Sequence, residues 1–188
     1  IASIEVPAIR FEKGRARHYI EYCSGTLLKD AATLKPRHVL SAWHCIEHYQ
    51  DLSRGIEVMF PHFPSNQRVY TARLIDSGGS ISSDWALLEL NEGPSRTNLE
   101  GLPLMITDKT EPATAIGFAH ALRNGRRQLA YDDTCRADDT LQWLTCTTSK
   151  GTSGGPVVQT LGSVAGIVGI VSQGDSQELT ISYPIHRL

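Results

Sequence analysis

A serine set among glycines, Gly151-Thr152-Ser153-Gly154-Gly155-Pro156, is the segment whose residue types most plainly invite chemistry. Glycines on both sides free the backbone for positive φ and for close approach of another molecule. A serine hydroxyl is a weak nucleophile at neutral pH. Covalent catalysis there needs a positioned base to take the proton and backbone N–H groups to hold a developing oxyanion. The N–H groups of Gly151 and Ser153 are the candidates for that second role. Taken alone, a Gly-rich serine loop is more often a turn than a nucleophile.

A candidate base lies in Ser41-Ala42-Trp43-His44-Cys45, where His44 follows an apolar segment and sits beside a cysteine able to anchor the loop. Any single histidine is more often a surface or satisfied core residue. A third candidate is Asp84, in Ser82-Ser83-Asp84-Trp85-Ala86-Leu87-Leu88-Glu89-Leu90, at the mouth of a segment that alternates into a core. A buried carboxylate accepting the imidazole N–H would fix the tautomer and stabilise the imidazolium. Viewed by itself, Asp84 is better explained as an ordinary loop residue before a strand.

The elements that must position these residues read as strands. Segments rich in β-branched and aromatic residues recur between turn formers: Tyr19 to Leu28, His38 to Ala42, Ile56 to Phe60, Val69 to Ile75, Trp85 to Leu90 and Ala113 to Phe118. The texture continues through Gln128 to Tyr131, Leu141 to Thr147, Pro156 to Thr160, Val164 to Ser172 and Leu179 to Ile185. No long segment has helical period, so the chain reads as all-β. The polar, breaker-rich stretch from Asn91 to Pro103 is the natural connector. Two packed antiparallel barrels of five or six strands would bury the alternating faces and remove most exposed edges.

In residue types and in His, Asp, Ser order the three signals together resemble the trypsin/chymotrypsin superfamily of serine peptidases. Ala42-Trp43-His44-Cys45, Asp84-Trp85-Ala86-Leu87-Leu88 and Gly151-Thr152-Ser153-Gly154-Gly155-Pro156 each match a family segment. Cys23-Ser24-Gly25-Thr26-Leu27-Leu28 is similar to the family strand whose cysteine bridges to the one after the catalytic histidine. The resemblance spans residues 20 to 186. It implies two six-stranded antiparallel β-barrels with a catalytic cleft between them. Residues 1–100 would form an N-terminal barrel carrying His44 and Asp84. Residues 101–188 would form a C-terminal barrel carrying Ser153 and the substrate pocket. It implies a serine endopeptidase with His44 as base, Asp84 orienting it, Ser153 as nucleophile and Gly151 with Ser153 as oxyanion hole.

Two departures qualify the resemblance. Thr152 stands where animal digestive relatives carry an aspartate that pairs with a freshly cut N-terminus, so that activation switch should be absent. Cys146 lies shortly before Ser153, and Cys135 with Cys146 resembles the short Cys loop of bacterial members related to glutamyl endopeptidases, which points to a bacterial source. Val171-Ser172-Gln173-Gly174 is similar to the strand along which the family pairs with substrate backbone, making Ser172 and Gly174 candidate binding positions. Val171 replaces the histidine expected for strict glutamate preference, and Thr147 replaces the aspartate expected for Lys or Arg preference. The expected pocket is neutral, lined in part by Thr147, Thr148 and Ser182. Asp175 reads as a turn residue.

Composition sets the remaining bounds. With 188 residues, 40% hydrophobic and 20% charged, the chain can bury a core and fold alone. A formal net charge of −2 gives no pull toward nucleic acid or an anionic membrane, and Arg123, Arg126 and Arg127 read as a solvated loop patch. The apolar stretch Ser163 to Ser172 is too short to span a bilayer, so a soluble protein without membrane partners is expected. The chain opens at Ile1 without a leader, as if a signal or pro-segment had been removed. Sequential pairing of the four cysteines, Cys23 with Cys45 and Cys135 with Cys146, would close loops of about 22 and 11 residues and contribute roughly 3 kcal/mol each. Such bridges persist in an oxidising compartment, extracellular or periplasmic, whereas four buried thiols would suit the cytosol. A monomer acting on protein or peptide substrates without cofactor or metal is expected.

Three other readings compete. An α/β-hydrolase elbow would need the histidine after the serine and a helix after the elbow, but Pro156-Val157-Val158-Gln159-Thr160 reads as a strand. A catalytically silent relative would bind a partner through the same cleft. His44 and His48 could share a helical face toward zinc, but Cys45 occupies the place of the glutamate that a metalloprotease helix needs.

Overall fold

A computed structural model describes residues 1–29, 36–61, 69–94, 99–123, 126–138, 140, 146–174 and 180–188. Apart from short 3₁₀ turns at Trp43–Cys45 and Ile185–Arg187, its regular elements are strands. They are β1 (Ala2–Glu12), β2 (Arg15–Leu27), β3 (His38–Ser41), β4 (Ile56–Met59), β5 (Val69–Ser77), β6 (Ala86–Leu90), β7 (Ala113–Arg123), β8 (Arg126–Cys135), β9 (Pro156–Leu161), β10 (Val164–Gly174) and β11 (Thr180–Pro184).

The first six strands close into an antiparallel barrel in the order β1-β2-β3-β6-β5-β4. Its interior is filled at period two: Ala2, Ile4, Val6 and Ala8 from β1, Ile56 and Val58 from β4, and Ala86, Leu88 and Leu90 from β6 are all buried. The sequence reading passed over β1 although its inward set alternates. Pro7 and the charged positions masked it. Proline is tolerated there because β4 pairs only with Ser3 to Glu5, so Pro7 withholds no N–H from a neighbour on that side. Lys13 and Gly14, both at positive φ, form the two-residue turn that joins β1 to β2.

The second half forms a five-stranded antiparallel sheet, β11-β10-β9-β7-β8, among the described residues. A full second six-stranded barrel is therefore not what these residues display. Of the expected strand Leu141 to Thr147, residues 141–145 lie outside the described residues, and Cys146 and Thr147 are not in a strand. β10 is buried on both faces. Its Ile167 and Ile170 pack into the core of the first barrel, and its Val168 and Val171 into a smaller core with Ala113, Ala115 and Val157. Leu102, in the described end of the connector, bridges Leu28, and Leu104, just beyond the connector, bridges Ile167.

Arg127 corrects the sequence reading of a solvated arginine patch. Arg126 is exposed, but Arg127, which follows it on β8, is buried at the junction of the two sheets.

Both disulfides pair sequentially, Cys23 with Cys45 and Cys135 with Cys146. The first ties β2 to the turn that bears His44. Replacing Cys23 and Cys45 together by alanine is expected to lower unfolding stability by about 3 kcal/mol, since the closed loop no longer restricts the unfolded chain. Urea unfolding of the two proteins measures it, and an unchanged midpoint would count against that account.

Candidate active site

Strand pairing brings His44 to Asp84. Ser41, the last residue of β3, is the register partner of Ala86, the first residue of β6. The chain leaving β3 and the chain entering β6 therefore meet at one end of the barrel. The 3₁₀ turn Trp43–Cys45 rolls His44 over Asp84, which has no exposed surface. His44 Nδ1 lies 2.8 Å from Asp84 Oδ2, and the His44 backbone N–H donates to Asp84 Oδ1 at 2.8 Å. Two contacts from one residue fix the ring against the carboxylate. The Ser172 hydroxyl, from β10 of the second sheet, also donates to Asp84 Oδ2.

Burial alone would push the Asp84 carboxyl up, but the hydrogen bonds and charge of His44, with the Ser172 hydroxyl, outweigh it and hold the pKa below the usual aspartate value. With Asp84 ionised, the Nδ1 proton of His44 is directed to it and Nε2 carries the lone pair. Cys45 Sγ, 3.9 Å from Nε2, is oxidised in the disulfide and has no proton to give, so the lone pair remains available.

Ser153 is brought to the same region by three backbone hydrogen bonds. Its carbonyl accepts from Ser24 N–H of β2 at 2.7 Å, Gly154 N–H donates to Val171 O at 2.8 Å, and Val171 N–H donates to Gly155 O at 2.8 Å. Gly154 sits at φ +79° and presses on Ser41 Oγ and the Ser24 carbonyl, where a Cβ would collide with both. Among the described residues, no hydrogen bond joins Ser153 Oγ to His44 Nε2. Such contacts are often loose before substrate binds.

The two candidate oxyanion donors are oriented by what holds their peptide partners. In a trans peptide C=O and N–H point in opposite directions. Lys150 O accepts from His120 N–H of β7 at 2.6 Å, which turns Gly151 N–H away from β7. Thr152 O accepts from Gly155 N–H at 2.9 Å, which turns Ser153 N–H away from Gly155. Among the described residues, neither Gly151 N–H nor Ser153 N–H has a protein acceptor. Gly151 lies at φ +96°, and a Cβ there would meet His120 N at 2.7 Å and Phe118 O at 2.9 Å. The buried Thr152 side chain is tied locally, its hydroxyl donating to Ser149 O at 2.7 Å.

A cleft of about 470 Å³ opens beside Ser153, lined by Thr148, Ser149, Lys150, Thr152, Val171, Ser172 and Gln173. Of the expected pocket residues it contains Thr148 and Ser172. Thr147 is exposed, with its N–H on Asp132 Oδ2 at 2.6 Å, and Ser182 is buried. Neither is among the lining residues. Gly174 ends β10 opposite Thr180, and Asp175 lies outside the described residues. The sequence reading missed Lys150, the charged residue among the described lining, although its place three residues before Ser153 put it beside the Gly-rich serine loop. His48, the other half of the zinc reading, meets Glu47 at 3.4 Å, while His44 is committed to Asp84.

No curated protein matches the sequence. Among solved structures, a thermostable serine protease, AL20, from an extremophilic microorganism superposes with a TM-score of 0.64 at 15% identity, over 97% of this chain and 90% of that one. At that identity the likeness concerns the fold. The family model for a trypsin-like peptidase domain matches residues 23–167. Because this match runs from Cys23 on β2 through the Gly-rich loop of Ser153 and into β10, over most of the chain, the protein belongs to the trypsin-like peptidase domain family.

Proposed function

We propose that this chain is a secreted serine endopeptidase, cleaving peptide bonds of protein or peptide substrates through an acyl-enzyme on Ser153. The observation that carries the reading is the 2.8 Å contact of His44 Nδ1 with the buried Asp84 carboxylate, beside a serine whose loop leaves two N–H groups uncommitted. His44 Nε2 takes the Ser153 proton as Oγ attacks the scissile carbonyl. Gly151 and Ser153 N–H hold the tetrahedral oxyanion. His44 then passes its proton to the leaving amine, and water enters by the same route in reverse to release the acid product. Asp84 stays ionised and stabilises the imidazolium throughout. In this reading residues 1–100 supply the base and its orienting carboxylate, and residues 101–188 supply the nucleophile and the cleft. The two disulfides fit an extracellular or periplasmic location.

Apart from Lys150, the described walls of the cleft are neutral and mostly polar, so the substrate side chain entering it is proposed to be neutral. This is not the style of a strict glutamyl endopeptidase, because Val171 occupies the position of that group's histidine.

A fluorophosphonate is expected to form one adduct, on Ser153, that is absent from Ser153→Ala and from His44→Ala when intact mass and peptide mapping are compared. No adduct on the folded wild-type protein would leave a silent binding module as the better reading. Asp84→Asn is expected to lower kcat about 10⁴-fold with little change in fold, the size of effect found for that change in triad peptidases, measured with a peptide substrate. Lys150→Glu is expected to lower kcat/KM at least about fivefold for peptides with an acidic residue at the cleavage site, relative to neutral ones. An unchanged ratio would remove Lys150 from the specificity account.

A further inference from the structure

Arg127 has five N–H donors, and each finds an acceptor. Nε donates to Ala119 O at 3.3 Å, Nη1 to Ser3 Oγ at 2.8 Å and Cys23 O at 2.7 Å, and Nη2 to Gly151 O at 2.8 Å and to Phe118 O. The guanidinium lies within 6 Å of the Tyr22 and Phe118 rings, at 5.7 Å and 5.9 Å from their centroids. Burial pushes its pKa down to about 10, which leaves it charged at neutral pH. None of these acceptors is a carboxylate. The cation is spent on backbone carbonyls and one hydroxyl.

Those acceptors come from β1, β2, β7 and the nucleophile loop. Phe118 and Ala119 lie where the β7–β8 register shifts between Phe118 and Leu122, so the guanidinium serves carbonyls at a break in the ladder. Cys23 is disulfide-bonded to Cys45, the neighbour of His44. Gly151 O, which also accepts from Ser24 Oγ at 2.9 Å, belongs to the residue whose own N–H is the candidate oxyanion donor. One buried cation thus connects the backbone behind His44 with the backbone of the oxyanion loop.

We propose that Arg127 is a positioning residue for the oxyanion loop. It clamps Gly151 O against β2 and β7, which holds the Gly151–Thr152 peptide next to the Lys150–Gly151 peptide whose N–H is the candidate oxyanion donor, and it holds the His44 half in register with the Ser153 half. With Thr152 tied to Ser149, no acid at that position orders the loop, and Arg127 takes that task from the side of β8. The assignment rests on the serine-peptidase reading for its catalytic consequence, but not for its effect on the loop.

The test combines two readouts on Arg127→Lys, Arg127→Ala and the wild type: hydrogen exchange of residues 149–155, and the rate of fluorophosphonate labelling with kcat and KM on a peptide. Lysine keeps a charge but cannot reach the five acceptors as a planar fork. For both variants the expected result is faster exchange localised to 149–155, labelling and kcat reduced roughly a hundredfold, the scale of losing an oxyanion donor, and KM within about twofold. Free guanidinium added to Arg127→Ala should recover at least about tenfold of the lost kcat. Wild-type labelling rates in both variants, or slowed labelling with unchanged exchange in the loop, would overturn the proposal while leaving the peptidase reading intact. Loosened exchange in the variants together with an unreactive wild type would support the clamp and count against the peptidase reading. If neither variant folds, Arg127→Gln, which has no charge and fewer donors, is read by the same two measurements. Faster exchange at 149–155 with labelling slowed about tenfold is expected, and wild-type values of both would overturn the clamp.

Discussion

The buried polar seam between the barrel and the second sheet is the constraint on which the rest of this structure depends. Loops that carry chemistry cannot place all their N–H and C=O groups in sheet ladders, and burying such groups unpaired is costly. Ser24 and Arg127 provide the partners. Ser24 donates its N–H to Ser153 O, accepts on its carbonyl from Ser41 Oγ, accepts on Oγ from Phe118 N–H and donates Oγ–H to Gly151 O. A fully buried serine using each of these groups leaves the loop of Ser153 little freedom to shift relative to β2.

Asp84 shows the same logic in electrostatic form. A carboxylate without exposed surface is unfavourable as an anion unless donors compensate, and here His44 contributes a ring contact and a backbone N–H while Ser172 contributes a hydroxyl. The first two come from the barrel and the third from β10. Asp84 is therefore fully satisfied only when the two halves are docked. The same docking brings the Ser24 N–H of β2 to Ser153 O, while Val171, next to Ser172, pairs with Gly154 and Gly155 within the second half. Assembly of the fold and assembly of the site are one event on this account.

Much of the molecule was legible in residue order. The segments bearing His44, Asp84 and Ser153 are each marked by alternation beside them or by Gly and Pro, because side chains in a sheet alternate in direction and turns need special backbone angles. β1 is not among the expected strands, and only the barrel reveals that the missing N–H of Pro7 faces no partner strand at that position. Arg127 was misjudged for a related reason. Its sequence neighbours are arginines and loop formers, and nothing local says that its guanidinium meets a register break in β7 and a glycine carbonyl far along the chain.

The sequence by itself determined the cast: a serine between glycines, a histidine beside a bridging cysteine, an aspartate before an alternating strand, and two cysteine pairs close enough to close sequentially. These depend on local chemistry and on spacing, which one dimension records. The tertiary structure alone decided the orientation of the Gly151 and Ser153 N–H groups, the burial of Asp84 under Ser172, the lining of the cleft by Lys150 in place of Thr147 and Ser182, and the use of Arg127 as a clamp. Each of these is a contact between residues brought together by sheet register and docking, and such contacts have no local signature because the partners are chosen by geometry across the fold.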